Sequence, residues 1–188
     1  MCRQKRARIM ATSDPRRIGV SIEVKPHAYD PVTDPELFEG VVARRIVAFL
    51  IDFLILSVPV VFVSMFIFVI GIVTFGLGFL FYGLLWPAMV IWAVAYYGLT
   101  LGGPSSATIG MRVMDIEMRT WYGSPAYFVL GAVHAVVFWV TVSMITPLVL
   151  LVCLFNERRR CLHDILVGTV VINNETRAAS LRAARRPV

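Results

Sequence analysis

The chain has 188 residues, of which 58% are hydrophobic and only 16% are charged, and its mean hydropathy is +0.76. Soluble domains contain about 45–50% apolar and about 25% charged residues, so this composition excludes an ordinary soluble domain. The 18 basic and 12 acidic residues give a net charge of +6. The basic residues crowd the polar ends of the chain, which is typical of contact with anionic lipid rather than nucleic acid. We therefore expect a protein of the bacterial inner (plasma) membrane, with the lipid bilayer as its first partner and no nucleic-acid partner.

Residues 1–40 are predicted to form a disordered, basic cytoplasmic tail. They contain four prolines and several arginines and lysines, with no apolar run long enough for a signal peptide. Arg16-Arg17 is not followed by the continuous apolar stretch that a twin-arginine signal needs, and Met10 is an alternative start. We expect residues 41–173 to form one transmembrane domain and residues 174–188 to form a second basic, disordered tail.

A long apolar run follows the first tail. Between Ile46 and Leu101 the only charged residue is Asp52, and this run is far longer than the about 20 residues of one span. It must therefore fold back on itself. Glycines weaken the helical pattern near its middle, so the sequence predicts helices near 44–70 and 80–100, joined by a short glycine-rich turn.

A third apolar segment covers residues 125–155. As one straight helix it would be about 45 Å long, whereas the hydrocarbon core is about 30 Å thick. Three interpretations stay open: one span, two arms bent near Pro147, or an interfacial helix leading into a span. The predicted fold class is an all-α membrane protein, a small bundle of three transmembrane helices, or of four if this segment is bent.

Arginines beside the apolar segments indicate the orientation. Arg44-Arg45 precedes the first helix, which favours a cytoplasmic N-terminus under the positive-inside rule. Three spans would place the C-terminus outside, but the arginines at 158–160 favour the inside. The side of the C-terminus therefore stays open.

Two segments outside the helices have the character of strands. Residues 112–119 alternate apolar Met114, Ile116 and Met118 with charged residues, which is the period of a half-buried strand. A second β-rich run occupies residues 169–172. We expect the two to pair as a small ribbon on the cytoplasmic side, leaning on the helices because an isolated two-stranded ribbon is marginal.

Asp52 is the first candidate functional residue, because an ionisable side chain inside a transmembrane segment is functional by default. Arg45, Ala48 and Asp52 stand at positions i, i+3 and i+7, so they share one helix face, with Asp52 about 10 Å along the axis from Arg45. A structural role has equal weight. Asp52 would then bond a neighbouring helix and Arg45 would anchor the helix end.

Asp164 is the second candidate, since it is polar in an otherwise amphipathic stretch from which it could reach the arginines of the first helix. The alternative is a local ion pair with residues 158–160, worth about 0–1 kcal/mol if exposed. His134, within the third apolar segment, is more often a structural group than a proton carrier. His163, beside Asp164, has the same two interpretations.

No catalytic motif is present. The sequence contains no Walker loop, His-Glu-x-x-His, Cys-x-x-Cys or Gly-x-Ser-x-Gly. The three cysteines, Cys2, Cys153 and Cys161, are an odd number without metal-ligand spacing. We therefore expect no enzymatic activity, no cofactor and no metal site.

Three stretches resemble the RDD family of bacterial membrane proteins, named for an arginine and two aspartates. The stretch from Arg44 to Asp52 is similar to the opening signature, and Ala107-Thr-Ile-Gly-Met-Arg resembles the Thr-x-Gly loop after the second helix. The stretch Arg158-Arg-Arg-Cys-Leu-His-Asp-Ile resembles the closing signature. The resemblance implies a multi-spanning membrane protein in which Arg45, Asp52 and Asp164 are the family arginine and aspartates.

The chain departs from the family pattern at two positions. Met111 stands where a lysine is common, and His134 stands where many members have an arginine. A cation/proton antiport role has been suggested for some members, and the loss of these basic residues puts transport by the same route in doubt.

The functional hypothesis is proton-coupled transport of an ion or small solute by a cluster of Arg45, Asp52 and Asp164 near the cytoplasmic side. The secondary candidates are Arg44, His134 and His163. Few helices are available for a translocation path, so we expect a homo-oligomer or a partner membrane protein. The alternative hypothesis is a non-catalytic membrane scaffold or partner subunit in which the same cluster only locks helices together.

Overall fold

The computed structural model describes residues 27–145 and 148–185. The predictions about the start of the chain, the twin-arginine pair and residues 1–26 lie outside this range. The elements in chain order are α1 (Val41–Val73), α2 (Tyr82–Leu101), α3 (Ile109–Val113), β1 (Ile116–Thr120), α4 (Phe128–Ile145), α5 (Leu148–Phe155), α6 (Leu162–Val167), β2 (Thr169–Asn173) and α7 (Glu175–Arg185). The protein is mostly helical, with one small sheet.

Helices α1 and α2 form the predicted apolar hairpin. Helix α1 has 33 residues and is about 50 Å long. The chain then turns through Gly76, whose φ of +101° suits a glycine, and a short 3-10 helix, Leu77–Phe81, leads into α2. Both helices are long and apolar enough to cross a membrane, and their most apolar stretches are only 11% and 6% buried. The core helix of a soluble protein would be mostly buried. The exposed apolar side chains of α1 and α2 are suited to contact with lipid.

The third apolar segment is divided into α4 and α5, on either side of residues 146–147, which lie outside the described residues. Helix α4 packs on α2, where Gly98 and Gly102 leave room for the ring and backbone of Phe128. Helix α5 has eight described residues. The choice among the three interpretations of this segment, and the number of spans beyond α1 and α2, stay predictions.

The two predicted strand segments pair as expected. Strands β1 and β2 are antiparallel, with a register that runs from Ile116 opposite Asn173 to Thr120 opposite Thr169. Ile116 and Met118 are buried, as the alternation predicts. The strand begins later than the pattern indicates, because Thr108 caps helix α3 by accepting a hydrogen bond from the Met111 N–H at 3.1 Å.

Both segments next to the ribbon are ordered where disorder was expected. Residues 175–185, placed in the C-terminal tail, form helix α7, and residues 27–40, placed in the N-terminal tail, lie against it. Ala178 of α7 packs with Leu37 and Phe38 in a second small core that also contains Val170 and Ile172. Composition suggested tails because these segments are polar and rich in charge, but they bury a few apolar side chains against the ribbon.

The main core lies at one end of the molecule. It joins the first turns of α1, including Val41 and Ala48, with the last turns of α2, including Tyr96 and Leu101, and with the ribbon. Towards the other end, side chains such as Phe62 and Phe66 are more than 60% exposed. The candidate site residues all lie at the packed end.

Candidate functional site

Arg45 and Asp164 form a buried ion pair between α1 and α6. Arg45 Nη2 lies 2.5 Å from Asp164 Oδ2, and the Asp164 side chain has no exposed surface. The sequence suggested that Asp164 would reach an arginine of the first helix, and it does. The local alternative is not what the structure has, since Arg160 donates to the backbone carbonyl of Asp164 and not to its carboxylate.

The start of α6 holds the Asp164 carboxylate in place. The backbone N–H of Cys161, the residue before the helix, donates to Asp164 Oδ2 at 2.9 Å. Arg160 holds the next stretch of chain by donating to the carbonyls of Asp164 and Thr169 at 2.9 and 2.8 Å. The Arg160 guanidinium lies 4.4 Å from the centre of the Trp121 ring. The carboxylate is therefore fixed by backbone and side-chain contacts together.

The second oxygen of Asp164 faces two imidazoles. Oδ1 lies 3.7 Å from His134 Nε2 and 3.5 Å from His163 Nε2. Both separations are longer than a normal N–H···O hydrogen bond of about 2.7–3.2 Å, and this buried oxygen has no hydrogen-bond partner among the described residues. One oxygen of Asp164 therefore accepts two hydrogen bonds, and the other accepts none from the described residues. We call Arg45, His134, His163 and Asp164 the Asp164 cluster.

The charge states of the cluster follow from its surroundings. Burial by itself raises the pKa of Asp164, but Arg45, helped by the two histidines, outweighs it and lowers the pKa to about 2. Burial lowers the pKa of His163, against the opposing attraction of Asp164. Asp164 is thus a carboxylate at neutral pH, and the His163 imidazole is uncharged.

Asp52 forms a separate site about two turns further along α1. Its Oδ1 accepts hydrogen bonds from the Tyr96 hydroxyl at 2.6 Å and from the Gly110 N–H at 2.8 Å. Its Oδ2 accepts one from the Thr108 hydroxyl at 2.5 Å. The single cluster of Arg45, Asp52 and Asp164 expected from the sequence is therefore two sites, because the described contacts of Asp52 are with α2 and with residues 107–113, which we call the α3 loop.

Gly110 allows the α3 loop to approach Asp52. A Cβ at this position would overlap the carbonyl of Ala48 and lie 2.9 Å from Asp52 Oδ1. A side chain would thus push the loop off α1, and the backbone N–H of Gly110 would lose its acceptor. The short Thr-x-Gly stretch supplies both a hydroxyl and an N–H to one carboxylate.

Only two of the three secondary candidates lie at a candidate site. His134 and His163 both belong to the Asp164 cluster, while Arg44 donates to the Met114 carbonyl at 2.5 Å and holds the loop before β1. The partners of Asp52 were missed by the sequence reasoning. A tyrosine in an apolar helix and the threonine of the Thr-x-Gly loop are signals that could have indicated them.

The cluster also brings together side chains that bind metals. His134, His163 and Asp164 each offer one ligand atom, and these atoms lie within 4.8 Å of one another. The expectation of no metal site rested on spacing along the sequence. Folding brings His134, about 30 positions away in the chain, beside the other two.

Comparison with known proteins agrees with the three signatures. The model of the RDD family matches residues 40–168, more than half of the chain, and this range contains Arg45, Asp52 and Asp164. No curated protein and no solved structure shows a significant match. Together with the apolar helices, the match indicates a membrane protein. The chain belongs to the RDD family.

Proposed function

We propose that this protein is a membrane transporter that holds an ion at the Asp164 cluster. The observation that carries the proposal is Asp164 Oδ1, a buried carboxylate oxygen with no hydrogen-bond donor among the described residues. Ionisable groups within transmembrane segments often mark ion and proton pathways, and Arg45, the partner of Asp164, lies in the apolar helix α1. An oxygen left open between two imidazoles has the chemistry to accept either a cation or a proton.

The position of the cluster supports the proposal. Arg45 comes from α1, His134 from α4, and His163 and Asp164 from α6. A cation at Asp164 Oδ1 would contact α4 and α6 directly, and the Asp164 carboxylate links it to Arg45 of α1. Its arrival or departure therefore changes the balance of forces between those elements, which is what coupling to a conformational change requires.

The small number of helices supports an assembly of several chains. Among the described residues two helices are long enough to cross a membrane, and two helices cannot enclose a path through it. We propose that the path forms between copies of this chain in a homo-oligomer. The exposed apolar surface of α1 and α2 is available for such contacts as well as for lipid.

Flux in proteoliposomes tests the proposal. Protein is reconstituted with a pH gradient, Na⁺, K⁺ and Li⁺ are offered in turn, and proton movement is followed for wild type, Asp164→Asn and Asp52→Asn. We expect cation-dependent flux that Asp164→Asn abolishes, while Asp52→Asn retains it per folded molecule. Melting temperatures of all three proteins supply the folded fraction.

The result identifies the ion-handling residue. Asp52 was the first candidate from the sequence, but the three hydrogen bonds that saturate Asp52 now favour Asp164 as the ion-handling residue. Loss of flux in well-folded Asp52→Asn, with Asp164→Asn active, would contradict this assignment.

A second candidate function is a membrane scaffold or partner subunit. Asp52 favours it, because a carboxylate saturated by three donors from α2 and the α3 loop fixes helices without leaving a site for an ion. No flux from well-folded wild type with any ion tested, together with lower melting temperatures for both variants, would support the scaffold.

A further inference from the structure

The space between the two histidines and Asp164 has the dimensions of a metal site. A tetrahedral Zn²⁺ with ligands at about 2.0–2.1 Å places neighbouring ligand atoms about 3.4 Å apart. The separations from Asp164 Oδ1 to the two Nε2 atoms are 3.5 and 3.7 Å, too long for hydrogen bonds and close to this edge length. The ligand atoms of all three residues lie within 4.8 Å of one another, so the three groups surround one small space.

Two of these three ligands have the supporting contacts of known metal sites, whereas His163 Nδ1 is buried with no hydrogen-bond partner among the described residues. A histidine that binds a metal usually bonds an oxygen through its other ring nitrogen, and His134 Nδ1 lies 3.3 Å from the Thr169 hydroxyl. A carboxylate ligand is usually hydrogen-bonded as well. Here Arg45 and the Cys161 N–H hold Asp164 Oδ2 and leave Oδ1 for the ion.

Charge and ligand type narrow the choice of ion. Two imidazoles and one carboxylate favour Zn²⁺ and neighbouring transition metals over Mg²⁺ or Ca²⁺, which prefer oxygen ligands. Arg45 balances the charge of Asp164, so an anionic fourth ligand such as hydroxide would reduce the cost of burying a divalent ion. Three protein ligands with a fourth position open is also the arrangement of zinc sites that bind a water or another small ligand.

We infer that His134, His163 and Asp164 bind a divalent transition-metal ion, with Zn²⁺ as the representative. The inference deepens the proposed function, because it names the class of ion that the Asp164 cluster holds, and as a transported ion it rests on that proposal. Binding itself is an equilibrium property and is measured without transport.

The test uses full-length protein in detergent, purified with a tag that contains no histidine and stripped of metal by a chelator. Zn²⁺ is added, unbound metal is removed, and the metal content is measured by mass spectrometry. We expect one Zn²⁺ per chain. His134→Ala and His163→Ala should each abolish stoichiometric binding, and Thr169→Val should weaken it about 10-fold.

The chain offers a matched control in its third histidine. His27 lies away from the cluster, with its ring 4.1 Å from that of Trp121, so His27→Ala should bind Zn²⁺ like wild type. Equal loss in all three histidine variants, or metal content in His134→Ala and His163→Ala equal to that of wild type, would overturn the inference.

A measurement on wild type alone covers the case in which the variants fail to fold. X-ray absorption of the zinc-loaded protein should show two imidazole nitrogens and oxygen donors at about 2.0–2.1 Å. Sulfur at about 2.3 Å would place the ion on cysteine instead and contradict the ligand set. If folded wild-type protein does not bind Zn²⁺, the metal site is refuted.

Uptake of Zn²⁺ into proteoliposomes separates the two proposals. Stoichiometric binding without uptake of any ion would retain the metal site and refute the transporter. Flux of Na⁺, K⁺ or Li⁺ without Zn²⁺ binding would retain the transporter and refute the metal site.

Discussion

Asp52 of α1 and Asp164 of α6 are both buried aspartates, with 4% and 0% of their surface exposed, yet their oxygens are bonded in different ways. Asp52 accepts three hydrogen bonds from neutral donors, and both of its oxygens are bonded. One oxygen of Asp164 accepts hydrogen bonds from Arg45 and from the Cys161 N–H, whereas the other faces two imidazoles that lie beyond hydrogen-bond distance. Burial alone therefore does not distinguish these two carboxylates, whereas the bonding of each oxygen does.

The comparison predicts that the two sites fail differently when altered. Asp52 is held by several neutral bonds, so removing one donor should reduce stability moderately and leave its other contacts in place. Asp164 depends on one cation, so removing Arg45 leaves a buried charge without its partner. The following four changes test these expectations, from the largest effect to the smallest.

Arg45→Met should have the largest effect. It leaves the buried Asp164 carboxylate without its cation, and breaking a buried pair in this way typically costs about 3–5 kcal/mol. The double variant Arg45→Met with Asp164→Leu should recover most of the loss, because an apolar replacement of the whole pair is often neutral. Thermal unfolding in detergent measures both. A loss below about 1 kcal/mol for the single variant would mean that water reaches Asp164.

Gly110→Ala should destabilise the Asp52 site by about 1–3 kcal/mol through overpacking. The added methyl overlaps the Ala48 carbonyl and displaces the N–H that bonds Asp52. Gly83→Ala is the control, because Gly83 lies in helix α2 with nothing near its Cβ position, and alanine there should be neutral or stabilising by about 0.5–1 kcal/mol. Equal melting temperatures for the two variants would contradict the close approach of the α3 loop to α1.

Tyr96→Phe should cost about 1 kcal/mol, since it removes one of three donors to Asp52 and leaves the ring in the core. Flux per folded molecule should be unchanged, because Tyr96 has no contact with the Asp164 cluster among the described residues. Thermal unfolding and proteoliposome flux are measured on the same preparation. Loss of flux at unchanged stability would move the functional site to Asp52.

Acidification should release helix α7 by weakening an ion pair that is more exposed than either aspartate site. The hydrogen bond from Arg182, assisted by Arg185, lowers the pKa of Glu36. The folded-state pKa is thus below the unfolded value of about 4.3. The contribution of this ion pair to stability is therefore complete above the unfolded-state pKa of Glu36, and it is lost as the pH falls through the folded-state pKa.

A spin label at exposed Ser180 measures this release. In a Ser180→Cys, Cys2→Ser protein, label mobility should rise only at acidic pH. Glu36→Gln should raise it at neutral pH as well, because the glutamine carries no charge to pair with Arg182. A label that stays equally immobile in Glu36→Gln at every pH would show that packing of Ala178, and not the ion pair, holds α7.

The sequence predicted much of this molecule for reasons that act locally. The uninterrupted apolar run indicated α1 and α2, the glycines indicated the turn, and the alternation around Ile116 and Met118 indicated a strand that pairs with β2. The i and i+7 spacing put Arg45 and Asp52 on one face of α1, and both residues do lie in that helix. It did not indicate their partners, because a long arginine side chain reaches α6 while the short aspartate bonds the elements beside it.

The sequence by itself determined the class of protein, the apolar helices, the ribbon and the family, because composition, periodicity and short motifs are properties of neighbouring positions. Only the tertiary structure decided which residues share a site. It separated Asp52 from the Asp164 cluster, brought His134 to Asp164, and ordered α7 against residues 27–40. These outcomes depend on contacts between elements distant in the chain, where packing and the pairing of buried polar groups outweigh local preference.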